Sequence, residues 1–261
     1  GIGVQAQVGR SVMASFYAWW SLATILGALA ASVAAASTLS LLAFFAVVAV
    51  VLIPVGLIAS TRFVRSHEAD EAAPDPLAAS ASVPWRPLLV FGFAVVLAFI
   101  IDSSVSNWSA LDLTDVLGAT ESVAALAYAA YALFMLIGRT FADHLVGRRG
   151  AQWLITVGGL LAAVGLLVVA VAPSAIVAIV GFAIIGLGIS PVLPMAFVAA
   201  SHHDPRHTGI AVARVNVGNY IGFVIGAPLV GVIGEFSSLR VGFAVLVAAA
   251  LGIAVMARSF D

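Results

Sequence analysis

The chain has 261 residues, 63% of them hydrophobic and only 9% charged, with a net charge of −1 and no cysteine. Soluble domains carry roughly 25% charged side chains, so this composition excludes a water-soluble globule and implies side chains that face lipid or one another. The lack of cysteine excludes disulfides and thiolate metal sites, and the 11 basic residues, all arginine, form no patch dense enough for nucleic acid.

A membrane span needs about 20 mostly apolar residues to cross a hydrocarbon core about 30 Å thick. The chain opens on Gly1 with no visible signal peptide, and residues 1–8 read as the tail of a span that starts upstream, so the natural beginning is expected to be missing. Complete spans are expected at 14–36 and 39–60. Residues 62–86, rich in Ala, Pro, Ser and acids, read as a flexible linker. Six more spans are expected at 87–108, 123–141, 151–172, 175–200, 209–234 and 241–257. An acidic loop with Asp112, Asp115 and Glu121 follows the third span, and a polar loop, 202–207, follows the sixth.

The expected fold is therefore all-α, a polytopic transmembrane helix bundle of eight spans. It divides into the end of a first bundle (1–61), a linker (62–86) and a six-helix second bundle (87–261). Ten arginines fall on one side of this plan and only Arg240 on the other, which makes the linker side cytoplasmic by the positive-inside rule.

The densest charge cluster between two spans runs Gly138-Arg139-Thr140-Phe141-Ala142-Asp143-His144-Leu145-Val146-Gly147-Arg148-Arg149-Gly150. It resembles the G-x-x-x-D-x-x-G-R-R loop of the major facilitator superfamily, with one extra residue on each side of Asp143. The segment from Asp102 through Asn107-Trp108-Ser109-Ala110 to Leu113 resembles the E-G-x-x-x-D-W-S-A-x-Y-L segment of a fucose-permease-like bacterial inner-membrane branch. Gly9-Arg10-Ser11-Val12-Met13 and Tyr17-Ala18-Trp19-Trp20-Ser21 resemble its G-R-P-x-M and H-x-x-W-S approach to the fifth helix. Asp102, Asn107 and Tyr17 stand where Glu, Asp and His are expected, which bears on any proton coupling. The resemblance implies a twelve-helix plan lacking its first four helices, and secondary transport of sugar-like solutes.

Asp102 is the one acid well inside an expected span, roughly 21 Å from Leu88 and so nearer the outer surface. An ionisable group there costs at least ~2.5–3.5 kcal/mol unless it meets water or a partner. It is read as a proton or substrate group with Ser106 and Asn107, or else as an acid near a helix end wetted from outside. Tyr128 and Tyr131, three apart, could line a cavity for a sugar, or simply pack. Asn216, Asn219 and Tyr220 share a helix face and read as cavity groups or as interhelical glue. Arg214 lies roughly 8 Å from the cytoplasmic end of its span and reads as a gate or structural residue.

The resemblance implies a cytoplasmic gate of Gly138, Arg139, Asp143, Arg148 and Arg149. Asp143 would accept hydrogen bonds at the N-terminus of helix 11–15, where the dipole favours an anion. The alternative is plain topology, the arginines anchoring the loop inside. Gly218, Gly222 and Gly226 make a smooth stripe for a neighbouring backbone. Pro191 and Pro194 predict a bent sixth span, read as a flexible cavity-lining helix or else as a static kink. His202, His203, Asp204 and His207 are broken up by Pro205 and predict no metal site. No HExxH, serine elbow or phosphate loop is present, so no enzyme and no cofactor are expected.

The expected function is alternating-access transport of a small solute across a bacterial inner membrane, with the proton as candidate coupling ion. The partners would be lipid and the missing N-terminal helices. The alternative is a transport-inactive helical protein acting as a receptor or assembly partner.

Overall fold

The computed structural model describes residues 15, 17–20, 22–23, 25–27, 40–61, 83–204 and 208–260. Regular structure among them is entirely helical. After the helical residues between 15 and 27 come α1 (Leu41–Ser60), α2 (Trp85–Leu111), α3 (Glu121–Arg149), α4 (Ala151–Ala170), α5 (Ala175–Ile189), α6 (Val192–Ser201), α7 (Ile210–Phe236) and α8 (Leu239–Met256). Counting α5 and α6 as one broken span, 7 helices among the described residues are long and apolar enough to cross a membrane. The expected span at 14–36 lies largely outside the described residues, as do linker residues 62–82.

Three boundaries differ from those expected. Helix α2 begins at Trp85, inside the expected linker, because Pro84 precedes it and apolar residues follow at once. At its far end the chain does not leave the helix at Trp108 but passes through a π-turn, Asp112–Val116. Asp112 is consequently buried rather than part of an acidic loop. The Gly138–Arg149 cluster is not a loop either: it forms the last turns of α3, with Arg148 and Arg149 beside the negative helix end. The turn into α4 is Gly150, whose φ of 81° suits a residue without Cβ.

The bundle is built by close backbone approach. Helix α7 has its most extensive contacts with α2; α5 lies between α3 and α4, and α8 touches both α4 and α2. A Cβ placed on Gly218, Gly222 or Gly226 would lie 2.4 Å from the carbonyl oxygens of Gly92, Val96 and Ile100 respectively. The expected stripe is thus the α2–α7 seam, because only glycine permits that separation. Side chains of α2 then fasten it. Ser103 donates to Phe223 O at 2.8 Å, Ser104 to Gly226 O at 2.9 Å, and the Trp108 indole to Ala227 O at 2.8 Å. These acceptors all lie within five residues before Pro228, which has no N–H and leaves Val224 O without its usual intrahelical donor.

The sixth span breaks at Ser190-Pro191 as its prolines predict. Ser190 Oγ donates to Leu187 O at 2.8 Å, serving one carbonyl at the break. Eight of the ten residues of α6 are buried, so this segment is part of the core rather than a free cavity wall.

Replacing Gly222 by Ala forces α2 and α7 apart and is expected to lower stability by about 1–3 kcal/mol, the usual scale of overpacking. Gly92→Ala, where an added Cβ meets nothing within 4 Å, is the control and should cause no loss. Thermal unfolding in detergent, followed by tryptophan fluorescence, checks both.

Candidate transport site

The extended α2 moves Asp102 close to the middle of its helix, roughly 26 Å along the axis from Trp85. Its side chain is half-buried, with the exposed Ser106 and Asn107 on the turn beyond it. What meets it is Tyr131 of α3, 1% exposed, whose hydroxyl donates to Asp102 Oδ1 at 2.5 Å. This is the short end of the range for an O–H···O bond. Gly186 of α5 lets α3 approach at this level: a Cβ there would lie 2.2 Å from Tyr131 O.

Around this pair the tyrosine rings of Tyr128 and Tyr131 are 5.9 Å apart and tilted by 30°. Ser106, one turn beyond Asp102, is exposed and donates to Asp102 O at 2.7 Å. Exposed Asn107 donates to Ser103 O at 2.8 Å. Asp102, Tyr131, Tyr128 and Ser106 therefore gather where α2 faces α3.

Arg139, expected in the gate, lies two turns below Tyr131 on α3 and acts electrostatically on Asp102, Tyr131, Tyr128 and Tyr17. Its guanidinium carbon is 5.4 Å from the centre of the Tyr17 ring, and Nη1 donates to Tyr17 O at 3.4 Å. Tyr17 also packs on Phe197 of α6, with ring centres 6.3 Å apart. Tyr17 thereby joins the first segment to the site. Its place opposite the histidine position of the resembling motif is the one signal that could have flagged it.

The rest of the arginine-rich cluster divides by task. Asp143 Oδ2 accepts from the Ser15 backbone N–H at 3.1 Å and from Ser15 Oγ at 3.0 Å, the contact with the early helix that the motif implies. Gly138 is a packing position, since a Cβ there would lie 2.2 Å from Ser190 Oγ. Arg149 lies over the Trp153 ring at 5.0 Å, while Arg148 is exposed. Arg214 lies over the Trp85 ring at 4.2 Å and donates to Val83 O, which ties α7 to the start of α2.

Asn216, Asn219 and Tyr220 do not join Asp102. Counted from Gly218 they lie between about 100° and 160° around α7. Tyr220 is 66% exposed. No hydrogen bond among the described residues connects the three to the α2–α3 group. His203 and Asp204 are used locally: His203 Nδ1 is 3.1 Å from Ala199 O, and Asp204 Oδ2 accepts from Thr208 Oγ1 at 2.9 Å. No metal-binding group occurs among the described residues, and Pro205 and His207 lie outside them.

A family profile described as Major Facilitator Superfamily matches residues 91–260. An uncharacterized MFS-type transporter of Yersinia pestis is 30% identical over 256 residues, an alignment covering 98% of this chain and 65% of the relative. The uncharacterized transporter y4wD of Sinorhizobium fredii is 30% identical over 258 residues, 97% of this chain and 67% of that protein. Membrane protein MosC of Rhizobium meliloti is 33% identical over 172 residues. The chain thus spans less than two thirds of the Yersinia protein's length. Among solved structures, the outward-facing MFS transporter FucP superposes with TM-score 0.69 at 18% identity, over 84% of this chain and 54% of FucP. The peptide transporter POT gives TM-score 0.57 at 21% identity, over 72% of this chain and 41% of POT. At these identities the likeness to FucP and POT is one of fold.

Paired Ser15→Cys and Asp143→Cys substitutions test the contact between the early helix and α3 in a chain with no cysteine of its own. Oxidation is expected to join them, because the native side chains already touch. Cleavage at a protease site inserted within 62–82, followed by a non-reducing gel, reads the bond as two fragments held together. Separate fragments would mean that the contact is not formed in the membrane.

Proposed function

Because this chain belongs to the Major Facilitator Superfamily, we propose that it is part of a secondary active transporter moving a small, sugar-like solute by alternating access. It is a multi-pass membrane protein, and its bacterial relatives support placement in a bacterial inner membrane. The observation carrying the proposal is the Asp102–Tyr131 hydrogen bond, near mid-helix and within the electrostatic reach of Arg139. Ionisable groups of opposite sign within a span are costly unless they are used or paired.

In this reading Asp102 is the proton-accepting group. Ionised, it accepts from Tyr131 and is held by Arg139; protonated, it gives up its attraction to Arg139 and can donate. The Tyr128 and Tyr131 ring faces, with Ser106 and Asn107 beside them, suit a solute that carries both hydroxyls and an apolar face. Acid and guanidinium offset each other, which favours a neutral solute. The name of FucP as a fucose:proton symporter agrees with this class. At the arginine-rich end, which the charge count makes cytoplasmic, Asp143 and Ser15 would act as the latch. Arg139 bridging to Tyr17 would couple that latch to the site.

The test uses full-length protein in proteoliposomes with an imposed pH gradient and a panel of sugars. Wild type should accumulate a sugar in response to the gradient. Asp102→Asn should lose gradient-driven uptake yet retain solute exchange, which needs no net proton movement. Tyr131→Phe, which removes one hydrogen bond to a charged group, should reduce uptake about tenfold, on the order of 1.5 kcal/mol. Wild-type uptake indifferent to the gradient would overturn proton coupling, and undiminished driven uptake in Asp102→Asn would remove Asp102 from the path.

A further inference from the structure

The end of the bundle remote from the arginine-rich cluster contains buried polar atoms with no part in the transport site. Asp112 begins the π-turn after α2 and is 0% exposed, yet neither carboxylate oxygen has a hydrogen-bond partner among the described residues. Ser109, one turn earlier on the same helix, is 1% exposed and its hydroxyl has none among them either. The opposing charge is Arg240, in the first turn of α8, a helix that touches the π-turn, and it acts electrostatically on Asp112. Its Nη2 donates to Ala172 O at 2.7 Å just past α4, while its Nε–H is buried and has no partner among the described residues.

These orphans complement one another. The carboxylate oxygens can only accept, the guanidinium Nε–H can only donate, and the serine hydroxyl can do either. A dry carboxylate with no hydrogen bond costs several kcal/mol, and Coulomb attraction across a gap offsets only part of that. A metal cation is disfavoured by the neighbouring guanidinium. A water molecule has the right complement, accepting from Nε–H and donating to Asp112 and Ser109, and two to four polar partners are what buried waters have.

We propose that Asp112, Arg240 and Ser109 form an occluded water-binding site. Its bound water completes an Asp112–Arg240 clamp joining the outer ends of α2, α4 and α8. The clamp makes three helices of the bundle move as one body, and it accounts for a cation on the side from which arginine is otherwise excluded.

The sign of a stability change tests the proposal. Removing an orphan that truly has no partner relieves a desolvation penalty and raises stability, whereas removing a member of a completed site leaves its partners unsatisfied and lowers it. Full-length Ser109→Ala, Asp112→Asn and Arg240→Gln proteins are therefore compared with wild type by thermal unfolding in the same detergent. Ser109→Ala and Asp112→Asn are both expected to melt lower, with Asp112→Asn/Arg240→Gln no worse than the poorer of its two single variants. An unchanged or raised melting temperature in both Ser109→Ala and Asp112→Asn would overturn the proposal, as would additive losses in the double. If Asp112→Asn fails to fold, Ser109→Ala alone decides: a lower melting temperature supports the site and an equal or higher one overturns it.

Discussion

Everything near the candidate site depends on how closely α7 can lie against α2. The carbonyl oxygens of Gly92, Val96 and Ile100 press on Gly218, Gly222 and Gly226 at distances no side chain would allow. In lipid there is no hydrophobic force to bring helices together, so contact of this kind and interhelical hydrogen bonds must supply the association. Ser103, Ser104 and Trp108 add those bonds at the stretch of α7 that Pro228 loosens. With α2 fixed from behind by this seam, its Asp102 position meets α3.

The polar groups of α2 consequently serve two masters along one helix. Ser103 and Ser104 turn to α7 and spend their hydrogen bonds on packing, while Asp102 reaches Tyr131 on α3. One residue of rotation, about 100°, separates a structural serine from the candidate proton group. The acid is tolerated at mid-helix because Tyr131 satisfies one oxygen and Arg139 supplies a compensating charge. Arg139 in turn meets Tyr17 of the early segment, so the site and the segment joined by Ser15 and Asp143 form a connected set of contacts. Contiguity of this kind is the physical prerequisite for one end to sense the other, and the transport assay reads whether it does.

Much of this was legible in residue order, and the misses have definite causes. The glycine stripe was readable because period-four glycines on an apolar helix have few other uses. The break at Pro191 was readable because proline cannot donate. Asp102 was conspicuous as an acid in an apolar run. Its partner was not, since Tyr128 and Tyr131 are equally spaced for a face and only the α3–α5 approach at Gly186 selects Tyr131. Asn216, Asn219 and Tyr220 show the converse: polarity on a span marks a need for partners but not which way they lie. Asp112 reads as part of a loop because acids commonly end helices, and the π-turn that buries it leaves no trace in hydropathy.

By itself the sequence determined the solvent, the all-helical class, the approximate spans and the charge asymmetry. These follow from local rules: a chain in hydrocarbon must satisfy its backbone within each helix, and arginine is dear to move across a membrane. Only the tertiary structure decided that Tyr131 reaches Asp102, that Arg139 meets Tyr17, and that Asp112 is buried within the electrostatic reach of Arg240. Those pairings join residues far apart in the chain. They depend on rotations of whole helices set by where a missing side chain lets two backbones meet, and no periodicity within one helix encodes that angle relative to another.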